Sequence, residues 1–167
     1  RLNQGGNQPR GLVLAPTREL ALQVTDALRS FAKGLPVRIV AIYGGAPYPP
    51  QLKALRNRAC IVVGTPGRVI DHMERGSLDL SEVEVFVLDE ADEMLRMGFL
   101  EPVEQILGEL PKDRQIALFS ATMPDPIAKL AREFLRDPIR VEVDRASPGG
   151  RPLVDAARAA VEGAGRA

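Results

Sequence analysis

The chain has 167 residues, 45% of them apolar, and its 22 Lys plus Arg balance 22 Asp plus Glu. That length fits one domain, or part of one with a tail, and the zero balance excludes a protein that coats nucleic acid by bulk charge, although not a local phosphate-binding surface. Cys60 stands alone, which excludes an intrachain disulfide and suits a reducing compartment, and no apolar run approaches the roughly 20 residues that a bilayer span needs.

Residues 1–10 are polar, carry Gly5, Gly6 and Pro9, and read as a loop. Leu12 to Ala15 is a short apolar strand stopped by Pro16. A helical stripe follows at Leu20, Val24, Leu28 and Phe31, ended by Gly34 and Pro36. Val37 to Ile42 reads as a second strand, closed by Gly44-Gly45, and Gln51 to Arg58 as a short helix with Pro50 at its tolerant start. Cys60 to Val63 is a third strand, with Cys60 expected to be buried. Thr65 suits the N-cap of the next helix and Pro66 its first turn. On that helix His72, the sole histidine, is expected at the surface or half-buried.

Val85 to Leu88 is nearly all apolar, as in a strand buried on both faces. Val103, Ile106, Leu107 and Leu110 mark another helix, and Ile116 to Phe119 a fifth strand. Asp125 caps a helix with Ile127, Leu130, Ala131, Phe134 and Leu135 on one stripe. Ile139 to Val143 alternates apolar and charged residues, which suits an edge strand. From Asp144 the chain is rich in Gly, Pro, Ala and Arg and reads as linker or disorder, with a marginal Ala-rich helix over 153–162.

Alternating strands and helices predict an α/β fold with three αβα layers and a mostly parallel sheet, in which ligands bind at the carboxyl ends of the strands. The unusual polar and glycine residues fall there: Pro16 to Glu19, Gly44-Gly45, Thr65 to Arg68, Asp89 to Asp92, and Ser120 to Thr122. An apolar strand ending in Asp89-Glu90 is the Walker-B arrangement, in which the first carboxylate holds Mg²⁺ and the second orients and deprotonates a water. Taken alone, the four letters equally describe an acidic helix cap. Thr65 to Arg68 open a helix, where free N–H groups attract phosphate, and Arg68 suits phosphate geometry. The same residues also make a capped strand-to-helix turn. Gly44-Gly45 alone reads as an ordinary turn, Glu19 as a partner for a nearby Arg, and the Ser120 and Thr122 hydroxyls as bonding their own backbone. Five Phe, two Tyr and no Trp leave little for base stacking, so backbone contacts are the expected mode of nucleic-acid binding.

Pro16-Thr17-Arg18-Glu19-Leu20-Ala21, Gly44-Gly45, Thr65-Pro66-Gly67-Arg68, Asp89-Glu90-Ala91-Asp92 and Ser120-Ala121-Thr122 together resemble the DEAD-box ATP-dependent RNA helicases, bacterial and cytoplasmic in type. Met97-Gly98-Phe99 and Arg114-Gln115 extend the resemblance, which covers about residues 10–143. It implies a RecA-like fold of the P-loop NTPase type, a partial ATP-binding domain over 1–143 and a linker or disordered tail over 144–167. It further implies ATP and Mg²⁺ as cofactors, with Asp89 on the metal and Glu90 as general base. Asp92, Ser120 and Thr122 would couple hydrolysis to strand separation. Pro16, Thr17, Arg18, Gly44, Gly45, Thr65, Pro66, Gly67 and Arg68 would hold RNA by its backbone, irrespective of sequence.

No G-x-x-x-x-G-K-S/T phosphate loop occurs in the chain, which begins at Arg1 rather than Met. The adenine-reading segment and the second RecA-like domain of the family are likewise not matched. The expectation is a truncated helicase domain lacking the phosphate-loop strand, with an apolar slot and a poorly anchored last strand. The alternative is an ATP-independent RNA-binding relative. Accordingly, this chain alone is expected to show no RNA-stimulated ATP turnover; measurable phosphate release on adding single-stranded RNA would overturn that expectation.

Overall fold

The computed structural model describes residues 8–142. Its elements run β1 (Gly11–Leu14), α1 (Arg18–Phe31), β2 (Ile39–Ile42), α2 (Tyr48–Arg56), β3 (Ile61–Gly64), α3 (Pro66–Glu74), β4 (Val85–Leu88), α4 (Ala91–Arg96), α5 (Leu100–Glu109), β5 (Gln115–Leu118) and α6 (Asp125–Phe134). The five strands form one parallel sheet in the order β2-β3-β1-β4-β5. Each strand is four residues long, and their last residues Ile42, Gly64, Leu14, Leu88 and Leu118 lie in one register row. The carboxyl ends of all five strands are therefore level.

The α/β three-layer expectation holds, with unequal layers. On one face, α1 packs Leu20, Ala21, Val24 and Leu28 against Val13, Ile39 and Val63. The other face carries the larger core, with Leu12, Leu14, Ile42, Val62, Phe86 and Leu88 of the sheet meeting Leu55 of α2, Val69 of α3, Met94 of α4, Ile106 of α5 and Ile127 of α6. On the α1 side, Val85, Val87 and Ala117 remain half-buried, Val87 packing against the smaller core. β5 is likewise only partly buried, and its single strand neighbour among the described residues is β4.

Several local expectations are corrected. Phe31 is 83% exposed: it shares the face of Leu20 and Val24 but is the last residue of α1, whose buried residues are Ala21 and Thr25. α2 begins at Tyr48 rather than Gln51, because Pro49 and Pro50 occupy first-turn positions whose N–H groups have no helical partner in any case. His72 is fully buried, whereas Cys60, just before β3, is only half-buried. Residues 139–142 form no strand, and Ile139 and Val141 are exposed; an alternating segment needs a neighbouring ladder to persist, and this one is not part of the sheet. The compact unit that carries the sheet ends at Phe134. The tail read over 144–167 and its marginal helix lie outside the described residues.

Gly64, which ends β3, has no room for a side chain. A Cβ there would come within 2.7 Å of Val69 Cγ2, 2.8 Å of Ile42 Cγ1 and 3.0 Å of the Ile42 carbonyl. Backbone cannot yield as a flexible side chain can, so Gly64→Ala is expected to cost about 1–3 kcal/mol, read as a lower denaturant midpoint with an unchanged slope.

Candidate functional site

The level strand ends gather the five polar clusters on one rim. Backbone bonds carry the sheet one residue further: Thr65 N–H donates to the Ile42 carbonyl, Ala15 to Gly64, Asp89 to Leu14 and Phe119 to Leu88, all within 2.8–3.1 Å. Four strand spacings, about 19 Å, separate the β2 end of this rim from the β5 end. The glycine and arginine clusters follow β2, β3 and β1, and the acidic and hydroxyl clusters follow β4 and β5.

At the acidic end, Asp89 is half-buried and one carboxylate oxygen accepts the Glu90 N–H at 3.0 Å. Burial pushes its pKa up, and the Glu90 N–H only partly offsets this. The other oxygen has no protein partner among the described residues. One carboxylate suffices for Mg²⁺, which keeps most of its water shell and takes remaining ligands from phosphates, so Asp89 fits that ion. No group of three or more His, Cys, Asp or Glu among the described residues builds an all-protein metal cage.

Glu90 has φ 50° and ψ 55°, the left-handed region, at the N-cap of α4. Its side chain makes no capping bond and is exposed, so the helix-cap reading of the acidic motif holds for Asp92, which accepts the first-turn Glu93 N–H, and not for Glu90. A non-glycine residue held there costs of order 1 kcal/mol or more, and such strain concentrates at sites of chemistry.

Asp92 joins the acidic motif to the loop after β5. One of its oxygens accepts from the Thr122 hydroxyl at 2.9 Å and the Thr122 N–H at 3.1 Å, while the other accepts the Glu93 N–H at 3.1 Å. The Asp92 N–H in turn donates to Ser120 Oγ at 3.0 Å, and the Ala91 N–H to the Phe119 carbonyl at 3.0 Å. Both hydroxyls thus bond across to Asp92 rather than to their own backbone, overturning the local reading of Ser120 and Thr122. Burial works to raise the Asp92 pKa, but the hydrogen bonds from Thr122, Ser120 and the Glu93 and Thr122 backbone hold it below the ordinary carboxylate value.

At the other end, Thr65 is the N-cap residue of α3 by position, yet its side chain makes no capping bond. Its hydroxyl accepts instead from the Gly44 N–H at 3.4 Å. Arg68 reaches the same loop, donating to the Ala46 carbonyl at 3.1 Å. Gly45 has φ +72°, which a turn after β2 needs and glycine tolerates. Gly44, Gly45 and Gly67 are exposed, with open space where a Cβ would project, and Pro66 is buried. Pro16 is buried at the end of β1, and Thr17 caps α1 by accepting the Leu20 N–H at 3.2 Å. Arg18 projects over the Tyr43 ring at 5.0 Å, bringing the β1 loop to the β2 loop. Glu19 is exposed and forms no ion pair among the described residues, so its expected arginine partner is not found.

Beneath this end lies a cluster that sequence reasoning missed. Ser77 Oγ donates to the His72 carbonyl at 3.0 Å and lies 2.8 Å from His72 Nδ1 and 2.7 Å from the Tyr48 hydroxyl. A serine has one proton to give, so Nδ1–H and the Tyr48 O–H both donate to Ser77. That fixes the tautomer and leaves Nε2 as a bare lone pair, buried without a partner. Burial, and then Arg68, lowers the His72 pKa, so the ring stays neutral. Tyr48 stacks on it with centroids 4.4 Å apart and tilted 15°. Arg75 lies over the Tyr48 ring at 4.6 Å while binding Asp71 at 2.8 Å. The start of α2 is thereby locked to the end of α3. The three-residue recurrence of Pro66, Val69 and His72, all buried, was the available signal.

No helix among the described residues is long and apolar enough to cross a membrane. The sequence model of the DEAD/DEAH box helicase family matches residues 1–130. The chain is 53% identical over 144 residues to the ATP-dependent RNA helicase DeaD of Haemophilus influenzae, covering 86% of this chain and 24% of that protein. It is 56% identical over 136 residues to the Escherichia coli K12 protein of the same name, covering 81% and 22%. The chain thus spans about a quarter of the length of these relatives. In structure it is similar to a DEAD box protein of the hyperthermophile Methanococcus jannaschii, with TM-score 0.77 and 50% identity over 81% of this chain and 37% of that one. A hypothetical ATP-dependent RNA helicase from Sulfolobus tokodaii matches with TM-score 0.73 and 40% identity over 77% and 39%.

Because the folded pKa of Asp92 is depressed, its bonds stabilise the fold above the ordinary carboxylate pKa, and that contribution is lost as pH falls through the folded value. Asp92→Asn is therefore expected to lower stability by about 1 kcal/mol at pH 7, and the difference from the parent to shrink steadily as pH falls below the ordinary carboxylate range, as measured by denaturant unfolding over an acid pH series.

Proposed function

Since the chain belongs to the DEAD/DEAH box helicase family, we propose that it is part of an ATP-dependent RNA helicase, with a partial ATP-binding domain over 1–143. Its setting is the cytoplasm, and a second RecA-like domain elsewhere in the full protein closes over ATP and RNA. The observation that carries the reading is a half-buried Asp89 and a strained Glu90, beside the bonding of Asp92 to both Ser120 and Thr122. That network serves stability in either reading, while the half-buried Asp89, with one oxygen unpartnered among the described residues, and the exposed, strained Glu90 favour hydrolysis over an RNA-binding module alone.

Asp89 would hold Mg²⁺ through water, and the ion when bound supplies charge neutralisation at the β- and γ-phosphates. The Glu90 carboxylate, exposed beyond the end of β4, accepts a proton from the attacking water. Asp92 ties α4 to the loop after β5, so a shift of one on turnover must move the other. RNA lies across the loops after β1, β2 and β3. Gly44, Gly45 and Gly67 allow the backbone close approach, and Thr65, Arg18 and Arg68 face the phosphates, with Pro16, Thr17 and Pro66 shaping the turns that hold them. Such contacts carry no sequence information, so strands of any sequence bind alike.

In the full-length gene product, Glu90→Gln is expected to lower RNA-stimulated ATP turnover about 10²–10⁴-fold with single-stranded RNA affinity retained. Arg68→Ala is expected to weaken RNA binding while leaving turnover at saturating RNA closer to the parent. Retained turnover in Glu90→Gln would remove the general-base role; a full-length protein that binds RNA with no ATP turnover at all would favour the nucleotide-independent alternative.

A further inference from the structure

The opposite rim of the sheet, at the amino ends of the strands, carries a second concentration of positive charge. Its backbone is continuous: the Arg38 carbonyl accepts from Cys60 and Ile61, the Cys60 carbonyl from Arg10 and Gly11, and the Arg10 carbonyl from Glu84 and Val85. Arg10, in the middle of this rim, is neutralised by Glu82 and Glu84. Arg38 before β2, Arg58 before β3 and Arg56 in the last turn of α2 are not. All three are exposed, none has a carboxylate partner among the described residues, and with Asn57 they line one open concavity of about 350 Å³.

Two details argue against three independent solvated side chains. Arg38 turns its Nε to the Arg58 carbonyl at 3.0 Å, which ties β2 to the β3 loop and leaves the outer amino groups of its guanidinium free. Arg58 itself has φ +58°, a conformation that favours glycine. An arginine held there gives up stability and adds repulsion to its neighbours. Each has a local role that does not itself require arginine: Arg56 complements the α2 dipole in its last turn, Arg58 follows the C-cap Asn57 in the left-handed conformation that usually falls to glycine, and Arg38 bonds the Arg58 carbonyl.

We propose that Arg38, Arg56 and Arg58 form an auxiliary phosphate-binding site for the RNA backbone. This rests on the reading of the carboxyl-end rim as the primary RNA face. Both sites lie on the same β2–α2–β3 unit, with β2 at the sheet edge, one strand length or about 13 Å apart. A strand that first fills the roughly 10 Å of rim from the β1 loop to the β2 loop reaches the arginines, about 13 Å further along the β2 edge, only if it exceeds about seven nucleotides at about 3.4 Å each. The site therefore binds extended strands and adds nothing to short ones.

The test is fluorescence anisotropy of the full-length gene product with six-nucleotide and twenty-nucleotide single-stranded RNA over a salt series. The variant Arg38→Gln/Arg56→Gln/Arg58→Gln is expected to bind the longer strand about tenfold more weakly. Its log–log salt slope should be shallower by about 2, the value for three lost phosphate contacts on a single strand. Binding of the shorter strand should change less than twofold. Arg58→Gly, which relieves the left-handed strain, is expected to raise Tm by about 2–4 °C while weakening the longer strand alone. Unchanged affinity and slope for the longer strand in the triple variant, with Arg68→Ala weakening both strands, would overturn this site and leave the primary face standing. If Arg68→Ala affects neither strand, the primary reading fails and this one with it. Stabilisation by inorganic phosphate that the triple variant loses, with RNA affinity intact, would also overturn it, by making the pocket a free-anion site.

Discussion

The rest of the molecule depends on the parallel register row Ile42–Gly64–Leu14–Leu88–Leu118. Parallel strands of equal length in this register must end together, and every loop leaving the sheet then starts from the same level. β1 lies at the centre with β3 and β4 on either side, so the chain that follows β1 faces both halves of the rim. The register in turn depends on Gly64: any side chain there would strike Ile42 and Val69 and force β2, β3 and α3 apart.

The two ends of the rim are built by different means. The acidic end is held by polar bonds around one carboxylate, with Asp92 collecting donors from α4 and from the loop after β5. Such a junction is strong only while that carboxylate is ionised and its partners are in place. The glycine and arginine end stands instead on the Tyr48–His72–Ser77 cluster, packed and buried, which pins α2 to α3 below the loops. Glu90 sits between, in a conformation that its neighbours impose: the Ala91 N–H is bound to the Phe119 carbonyl and the Glu90 N–H to Asp89. One end is thus held by hydrogen bonds around a single carboxylate and the other by a buried aromatic stack.

The opposite rim has the same continuity of backbone. There Arg10 is buffered by two glutamates, and the neighbouring arginines are left exposed together. In a chain with no net charge, the distribution of charge along the sheet matters more than its sum.

The sequence by itself determined the fold class, the residues of the rim and the strand and helix order up to α6 except for the short α4, because apolar runs and turn residues are local signals whereas six residues carry too little periodicity to mark a helix. Apolar Val85–Leu88 ending in Asp89-Glu90 could be read without coordinates, as could the five motifs that resemble the helicase family. What the letters left open was which partner each polar group takes. Thr65 looks like a helix cap and bonds Gly44, Ser120 and Thr122 look self-bonded and meet Asp92, and His72 looks like a surface residue and is buried under Tyr48. Ile139 to Glu142 has a strand's alternation but belongs to no ladder. In each case the deciding contact spans 20 or more residues, or depends on a neighbouring strand, and only the tertiary structure sets it.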